Sequence, residues 1–170
     1  MDVIYLLDDT HSLQLHDLYQ QEWWSQGRSL AETIKCVAGS QICIGLVDGD
    51  NDLVGFARVL TDYTFKAFIF DVIVRRNERG NGLGDKLISL VKTHKQLQDV
   101  QHFELYCLPD MVSFVKDGTA LAMSVQNVSE IGYWTVYYGV ARTVGHTIPT
   151  IHDTGSLLVT KDMVDTYKKK

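Results

Sequence analysis

The 170-residue sequence has few cysteines and no long apolar run, and each shortage excludes a class of protein. Its three cysteines, Cys36, Cys43 and Cys107, are odd in number and widely spaced, which argues against a disulfide framework and a metal site. We interpret them as reduced, small hydrophobic residues. No apolar stretch approaches the roughly 18 residues that span a bilayer, and nothing near the N-terminus resembles a signal peptide. We therefore expect a cytoplasmic protein with no membrane partner.

Positive charge is also scarce. Lysine and arginine number 16 against 21 aspartate and glutamate residues, which gives a net charge of −5 and a pI near 5.6. A general nucleic-acid binder shows a basic face, so we expect no nucleic-acid partner. The six histidines form no ligand cluster, and we expect no metal. The apolar content of 45% and charged content of 22% are typical of a globular domain.

The most informative segment is Arg79-Gly80-Asn81-Gly82-Leu83-Gly84, which follows an apolar run over 68–74 and begins a helical pattern. Glycines let the backbone adopt positive φ and approach a ligand closely. The free N–H groups and the positive end of the helix dipole favour a pyrophosphate, and Arg79 adds a fork of donors. No Gly-Lys-Ser/Thr follows, so the segment is not a P-loop. The alternative is a plain strand-to-helix turn.

With its flanking residues, this motif resembles the acetyl-coenzyme A loop of the GNAT N-acetyltransferase superfamily, in a small prokaryotic-type branch. The blocks over 53–62, 70–74 and 103–109 share the resemblance, which covers about residues 3 to 114. It implies an α+β fold. The expected core is a mixed, mostly antiparallel sheet that splays open at the cofactor site and is flanked by helices.

Hydrophobic periodicity predicts the order β-α-α-β-β-β-α-β. Strands are expected over 3–7, 41–48, 52–62, 65–75 and 103–108, and the Gly49-Asp50-Asn51 turn joins two of them in a hairpin. Helices are expected over 12–24, from the capping box at Ser29 to a left-handed cap at Gly39, and from 82 to about 96.

The pattern departs from the family after Phe114. Val115 stands where the resemblance leads one to expect a tyrosine, and the aromatic, β-branched stretch over 119–149 suggests strands. We expect one acetyltransferase-like domain over 1–149 and a C-terminal extension over 150–170.

The resemblance implies acetyl-coenzyme A as cosubstrate. The expected contacts are backbone groups of the strand before the loop and N–H groups of the loop, namely Val72, Ile73, Val74, Arg79, Gly80, Asn81, Gly82, Leu83 and Gly84. The side chains of the three strand residues are themselves ordinary core residues.

Asp71 interrupts an apolar strand, where a carboxylate is costly unless it faces a cleft or a partner. We expect it to recognise the amine or to remove its proton through water; the alternative is that it faces solvent or a backbone donor. Glu104, on the next strand, is a second candidate for the same role. Tyr106 is the remaining hydroxyl for the leaving thiolate, and the alternative for it is a half-buried strand aromatic.

We expect the amine that accepts the acetyl group to bind where the first two helices meet. Trp23, Trp24 and Arg28 lie at that junction, and Asp62 lies at a turn on the same side. Packing or surface exposure is the alternative for each of them.

These observations favour an N-acetyltransferase that moves the acetyl group of acetyl-coenzyme A to a primary amine by direct attack in a ternary complex. The acceptor is a small molecule or a peptide, and assembly into a homodimer is left open. A non-catalytic acyl-coenzyme A sensor is the alternative that the missing tyrosine suggests. A protein that binds another nucleotide through the glycine turn is a third.

Overall fold

A computed structural model describes residues 1–106, 113–118 and 120–167. The chain divides into two compact units, Met1–Tyr106 and Cys107–Lys170. Cys107 and Leu108 lie outside the described residues, whereas Cys36 and Cys43 are free thiols. Among the described helices, none is both long and apolar enough to cross a membrane.

The first unit has the predicted order of elements. It contains strands β1 to β5 and helices α1 to α3, which in chain order are β1 (Asp2–Ile4), α1 (Asp9–Gln20), α2 (Leu30–Ala38), β2 (Ile42–Val47), β3 (Leu53–Thr61), β4 (Lys66–Val74), α3 (Leu83–Lys92) and β5 (His102–Leu105). The sheet order is β1-β2-β3-β4-β5. The first three pairings are antiparallel and β4–β5 is parallel. The predicted α+β, mostly antiparallel architecture is therefore confirmed.

Two hydrophobic clusters pack on this sheet. One joins α3 to the sheet through Leu83, Leu87 and Val91. The other joins α1 to the sheet through Leu15, Leu18 and Tyr19. Helices therefore bury apolar residues on the sheet at helical spacing, as the periodicity predicts.

Local sequence signals predicted some helix and turn features correctly, and they predicted other helix ends wrongly. The Ser29–Glu32 capping box is present, and Asn51 has the positive φ of 63° expected in the hairpin turn. Helix α1 begins earlier than predicted because Asp8 caps it by accepting from the His11 N–H, and it ends at Gln20. Helix α3 ends at Lys92, before a 3₁₀ turn over Lys95–Leu97. Gly39 has a φ of −83°, so the predicted left-handed cap is wrong.

The second unit contains α4 (Ser113–Lys116), β6 (Ala122–Gln126), α5 (Val128–Thr143) and β7 (Ser156–Thr160), with β6 and β7 antiparallel. Its core includes Val115, which is fully buried with Met123, Val159 and Val164. Strands on either side of residue 149 pair with each other, and the domain boundary predicted there stays a prediction.

The strands predicted within 119–149 are wrong for most of that stretch, because α5 occupies it. The aromatic residues that suggested strands recur at helical spacing: Tyr133 stacks on Tyr137, and Trp134 stacks on Tyr138. Asn127 caps this helix by accepting from the Glu130 N–H. Pairs four residues apart face each other only on a helix, so i,i+4 spacing prevailed over β propensity.

Candidate active site

Strand β4 carries a bulge at the centre of the first unit. Arg58 of β3 pairs with Phe70, but Phe56 pairs with Ile73, so Asp71 and Val72 together face one residue, Ala57. Asp71 has a φ of +52°, which an aspartate tolerates better than most residues. A bulge inserts one residue and therefore reverses which side chains face each side of the sheet.

The burial pattern shows this reversal. Ala67 and Ile69 belong to the cluster under α3, whereas after the bulge Val72 and Val74 face that cluster. Ile73 is buried in the α1 cluster. The side chains of the three predicted cofactor-binding strand residues thus belong to the core, and their backbone groups are what they can offer a ligand.

The edge of β4 opens after Ile69. Strand β5 pairs with β4 from Lys66–His102 to Ile69–Leu105. Within the described residues, Phe70 to Val74 have no partner strand on that side. Since unpaired strand groups readily bind an extended ligand, this segment offers backbone donors and acceptors beside the bulge.

The glycine loop lies directly after this edge. Gly80 and Gly82 have φ values of +81° and +74°, and Gly82 is the N-cap residue of α3. No described side chain caps this helix start. Its first N–H groups therefore keep their capacity for an anion, and the helix dipole favours one.

The space around the loop glycines is open. A Cβ placed on Gly80, Gly82 or Gly84 would meet no described atom within 4 Å other than those of its chain neighbours and the adjoining helix backbone. Gly84 has no positive φ, so neither packing nor backbone conformation calls for glycine there. Leu83 differs, because its side chain is buried in the core and only its backbone can serve a ligand, while Asn81 is exposed.

Three arginines lie around the loop. Arg79 donates from Nε to the Val74 carbonyl at 3.0 Å and from a terminal nitrogen to Glu22. Arg76 donates to the Gln21 carbonyl. Arg75 donates to the Leu53 carbonyl at 2.7 Å. Arg79 and Arg76 keep side-chain exposures of 46% and 64%, so both can still reach an anion at the loop.

Asp71 is the centre of a hydrogen-bond network between the sheet and the helices. Its Oδ2 accepts from the Tyr19 hydroxyl at 2.8 Å, Arg28 Nη1 at 3.1 Å and Arg58 Nε at 2.6 Å. Oδ1 accepts from Arg28 Nη2 at 3.4 Å, and the Cys36 thiol lies 3.9 Å from Oδ2. The Asp71 side chain is only 6% exposed.

Two arginines against one carboxylate give this network a formal charge of +1. Burial alone would raise the pKa of Asp71, but hydrogen bonds from Arg58, Arg28 and Tyr19 outweigh it and hold that pKa below its ordinary value. Burial, followed by the Asp71 carboxylate, raises the pKa of Tyr19. Asp71 is therefore an ionised acceptor, and Tyr19 is a neutral donor.

Arg28 connects this network to the predicted acceptor residues. Its guanidinium lies 4.5 Å from the Tyr19 ring centre and 5.5 Å from that of Trp24. Trp24 is 38% exposed, and Trp23 is 72% exposed. Both tryptophans follow the end of α1 at Gln20, so they lie in a turn and not within the helix predicted over 12–24.

The other predicted residues lie apart from this network. Glu104 forms an ion pair with Lys66 at 2.5 Å on the surface. Asp62 accepts from the N–H groups of Thr64, Phe65 and Lys66, so it stabilises a turn. Tyr106 is 84% exposed. None of these contacts tests a catalytic role, and those roles stay predictions.

Sequence reasoning assigned no role to Tyr19, Arg58 or Cys36. Tyr19 is fully buried within the helix predicted over 12–24. Arg58 carried a usable signal, because a charged residue within the buried strand β3 requires a partner. Its partner Asp71 is 13 residues away, across the hairpin.

Comparisons with known proteins show what this chain is similar to. Residues 4–113 match the model of the acetyltransferase (GNAT) family. The sequence is 32% identical over 106 residues to the uncharacterized N-acetyltransferase ycf52 of Pyropia yezoensis, covering 61% of this chain and 60% of that protein. This chain thus spans less than two thirds of the length of that relative.

Solved structures show the same fold. A GNAT-family structure from Xanthomonas campestris pv. campestris shares 29% identity and a TM-score of 0.56, covering 69% of this chain and 84% of that one. An aminoglycoside 6′-N-acetyltransferase complexed with coenzyme A matches with a TM-score of 0.54 and 22% identity, over 62% of this chain and 61% of that one. The second likeness is one of fold alone.

Proposed function

The chain belongs to the acetyltransferase (GNAT) family, and from that premise we propose that it transfers the acetyl group of acetyl-coenzyme A to a primary amine of a small molecule or peptide. The observation that supports the proposal is that an open strand edge and a glycine loop follow each other directly in the chain. An unpaired strand edge over 70–74 leads into a glycine loop with open space above the start of α3.

The loop is proposed to hold the pyrophosphate. N–H groups over 80–84 and the α3 dipole favour negative charge, and Arg79 adds donors in a planar fork. When bound, acetyl-coenzyme A supplies the acetyl group as an activated thioester. Backbone groups of Val72 to Val74 are proposed to hold the pantetheine arm and to polarise the thioester carbonyl.

The acceptor is proposed to bind on the side of the sheet that carries Asp71, Arg28 and Trp24. Because Asp71 already accepts hydrogen bonds from Tyr19, Arg28 and Arg58 and has a lowered pKa, it is a weak base. We assign it the task of holding Arg28 and Tyr19 in place. The positive network favours the neutral form of an incoming amine, so solvent can take its proton.

The leaving thiolate needs little assistance. A thiol has an ordinary pKa near 8.5, far lower than that of an alcohol, so it can leave without a donor. Tyr106 is the candidate donor, and its exposure of 84% leaves its hydroxyl free to reach a ligand. The buried Val115 has no proton to donate.

Release of free thiol from acetyl-coenzyme A, measured across a panel of primary amines, tests this proposal. Gly84→Asp is the informative variant, because an acidic residue in the first turn of a helix leaves α3 stable but repels a pyrophosphate. We expect it to abolish turnover and coenzyme A binding. Gly132→Asp, at an open helical position in the second unit, is the matched control and should retain both.

The outcomes separate the candidate functions. Binding of acetyl-coenzyme A without thiol release across the panel would favour the acyl-coenzyme A sensor, which the saturated hydrogen bonding of Asp71 also supports. Absence of binding in the unsubstituted protein would refute both the transferase and the sensor.

A further inference from the structure

Glu22 lies two residues beyond the end of α1, and its carboxylate contacts two arginines beside the glycine loop. Oε1 accepts from a terminal nitrogen of Arg79 and lies 4.0 Å from Arg76 Nε. The Glu22 side chain is only 15% exposed, whereas Arg79 and Arg76 are 46% and 64% exposed. A fixed carboxylate therefore meets two cations that solvent can reach.

The helix itself does not explain this acid. A helix C-terminus carries partial negative charge and disfavours a carboxylate, and the last turn of α1 contains no basic residue. The compensating charges come from the loop segment, where Arg76 also donates to the Gln21 carbonyl. The end of α1 is thus held against the loop by the same cations that a pyrophosphate would use.

We propose that Glu22 sets the affinity of the loop for pyrophosphate by competing for Arg79 and Arg76; this inference rests on the proposed function. Carboxylate and phosphate oxygens use the same guanidinium donors. Of the five N–H groups of Arg79, one binds the Val74 carbonyl and one binds Glu22, which leaves three for a ligand. Glu22 also repels a diphosphate directly.

The affinity of a ligand without phosphates should not depend on this competition. Pantetheine shares the thiol arm of coenzyme A and lacks its charged end, so it is expected to bind Glu22→Gln and the unsubstituted protein equally. Coenzyme A is expected to bind Glu22→Gln about three- to fivefold more tightly, the range that one exposed ion pair can produce. The same weakening applies to product coenzyme A, so Glu22 favours its release.

Isothermal titration calorimetry with coenzyme A, and competition by pantetheine, measures both affinities. Asp9→Asn is the matched control, since it removes one negative charge about 20 Å away at the start of α1. The gain from Glu22→Gln should shrink in 0.5 M salt, and it should also shrink in an Arg79→Gln background, because part of the competition acts through that guanidinium.

An unchanged or weaker affinity of Glu22→Gln for coenzyme A would overturn the inference while leaving the proposed function intact. An equal gain with pantetheine would also overturn it, since the effect would then be on the fold of the site. If the unsubstituted protein fails to bind coenzyme A, the proposed function and this inference both fail.

Discussion

The Asp71→Asn substitution tests the central network most directly. Asparagine keeps the shape of the side chain and tolerates the φ of +52°, so the backbone bulge should survive. It removes the negative charge that faces Arg58 and Arg28. It also replaces one acceptor oxygen by an NH₂ group, which repels the N–H donors around it.

The magnitude follows from burial. Removing one partner of a buried ion pair costs about 3–5 kcal/mol, because the remaining charge is left uncompensated. Asp71 and Arg58 are well buried at 6% and 14% exposure, but solvent reaches Arg28 at 30% and screens part of the effect. We therefore expect the free energy of unfolding to fall by about 2–4 kcal/mol, a large share of the roughly 5–15 kcal/mol of a typical domain.

The pH dependence gives a second, independent test. The pKa of Asp71 in the folded protein lies below that in the unfolded chain, so its contribution to stability is present above the unfolded value of about 3.9. That contribution is lost as pH falls through the folded pKa, where the carboxyl is protonated and resembles asparagine. The stability gap between the two proteins should thus be full at pH 7 and 5 and shrink below pH 4.

Urea unfolding, followed by tryptophan fluorescence at pH 7, 5 and 3, measures the gap. Asp17→Asn serves as the control, because its side chain is 78% exposed and should change stability by less than about 0.5 kcal/mol. A gap under about 1 kcal/mol at pH 7, or one that does not narrow at pH 3, would refute the view that Asp71 neutralises a buried arginine pair.

Four further substitutions have expected outcomes. Gly82→Ala should cost about 1 kcal/mol in unfolding free energy because of its φ of +74°, whereas Gly84→Ala should gain about 0.5 kcal/mol, and a loss at Gly84 would contradict the open space seen there. Arg28→Gln should raise KM for the amine and leave the coenzyme A dissociation constant unchanged in steady-state and calorimetric assays; a change only in coenzyme A binding would argue against an acceptor role. Trp23→Ala should change the free energy of unfolding by less than about 0.5 kcal/mol in a thermal unfolding experiment, because the side chain is 72% exposed.

The features that sequence reasoning predicted correctly are local ones. The glycine loop, the Ser29 capping box and the Asn51 turn each depend on residues a few positions apart. Strands β2 to β4 were predicted because their apolar residues form short runs between clear turn signals. The α5 helix was missed because its aromatic residues favour strands by propensity, and the Asn127 cap was overlooked.

Local sequence patterns could not predict the hydrogen-bond partners of Asp71. Tyr19, Arg28 and Arg58 come from three different segments and lie 52, 43 and 13 residues away in sequence. Only the packing of α1 and α2 on the sheet brings them to one carboxylate. A polar residue in an apolar strand signals that some partner exists, but it does not say which residue supplies it.

The bulge explains why the strand edge and the carboxylate occur together. Without an inserted residue, regular alternation would put odd-numbered side chains of β4 on the α3 side throughout, as it does for Ala67 and Ile69. Asp71 would then face an apolar cluster with no donors for its charge. The extra residue instead turns Asp71 towards Tyr19 and Arg58, and it moves Val72 and Val74 into the α3 cluster. A deletion that removed the bulge would therefore eliminate the ion-pair network even if it left the glycine loop intact.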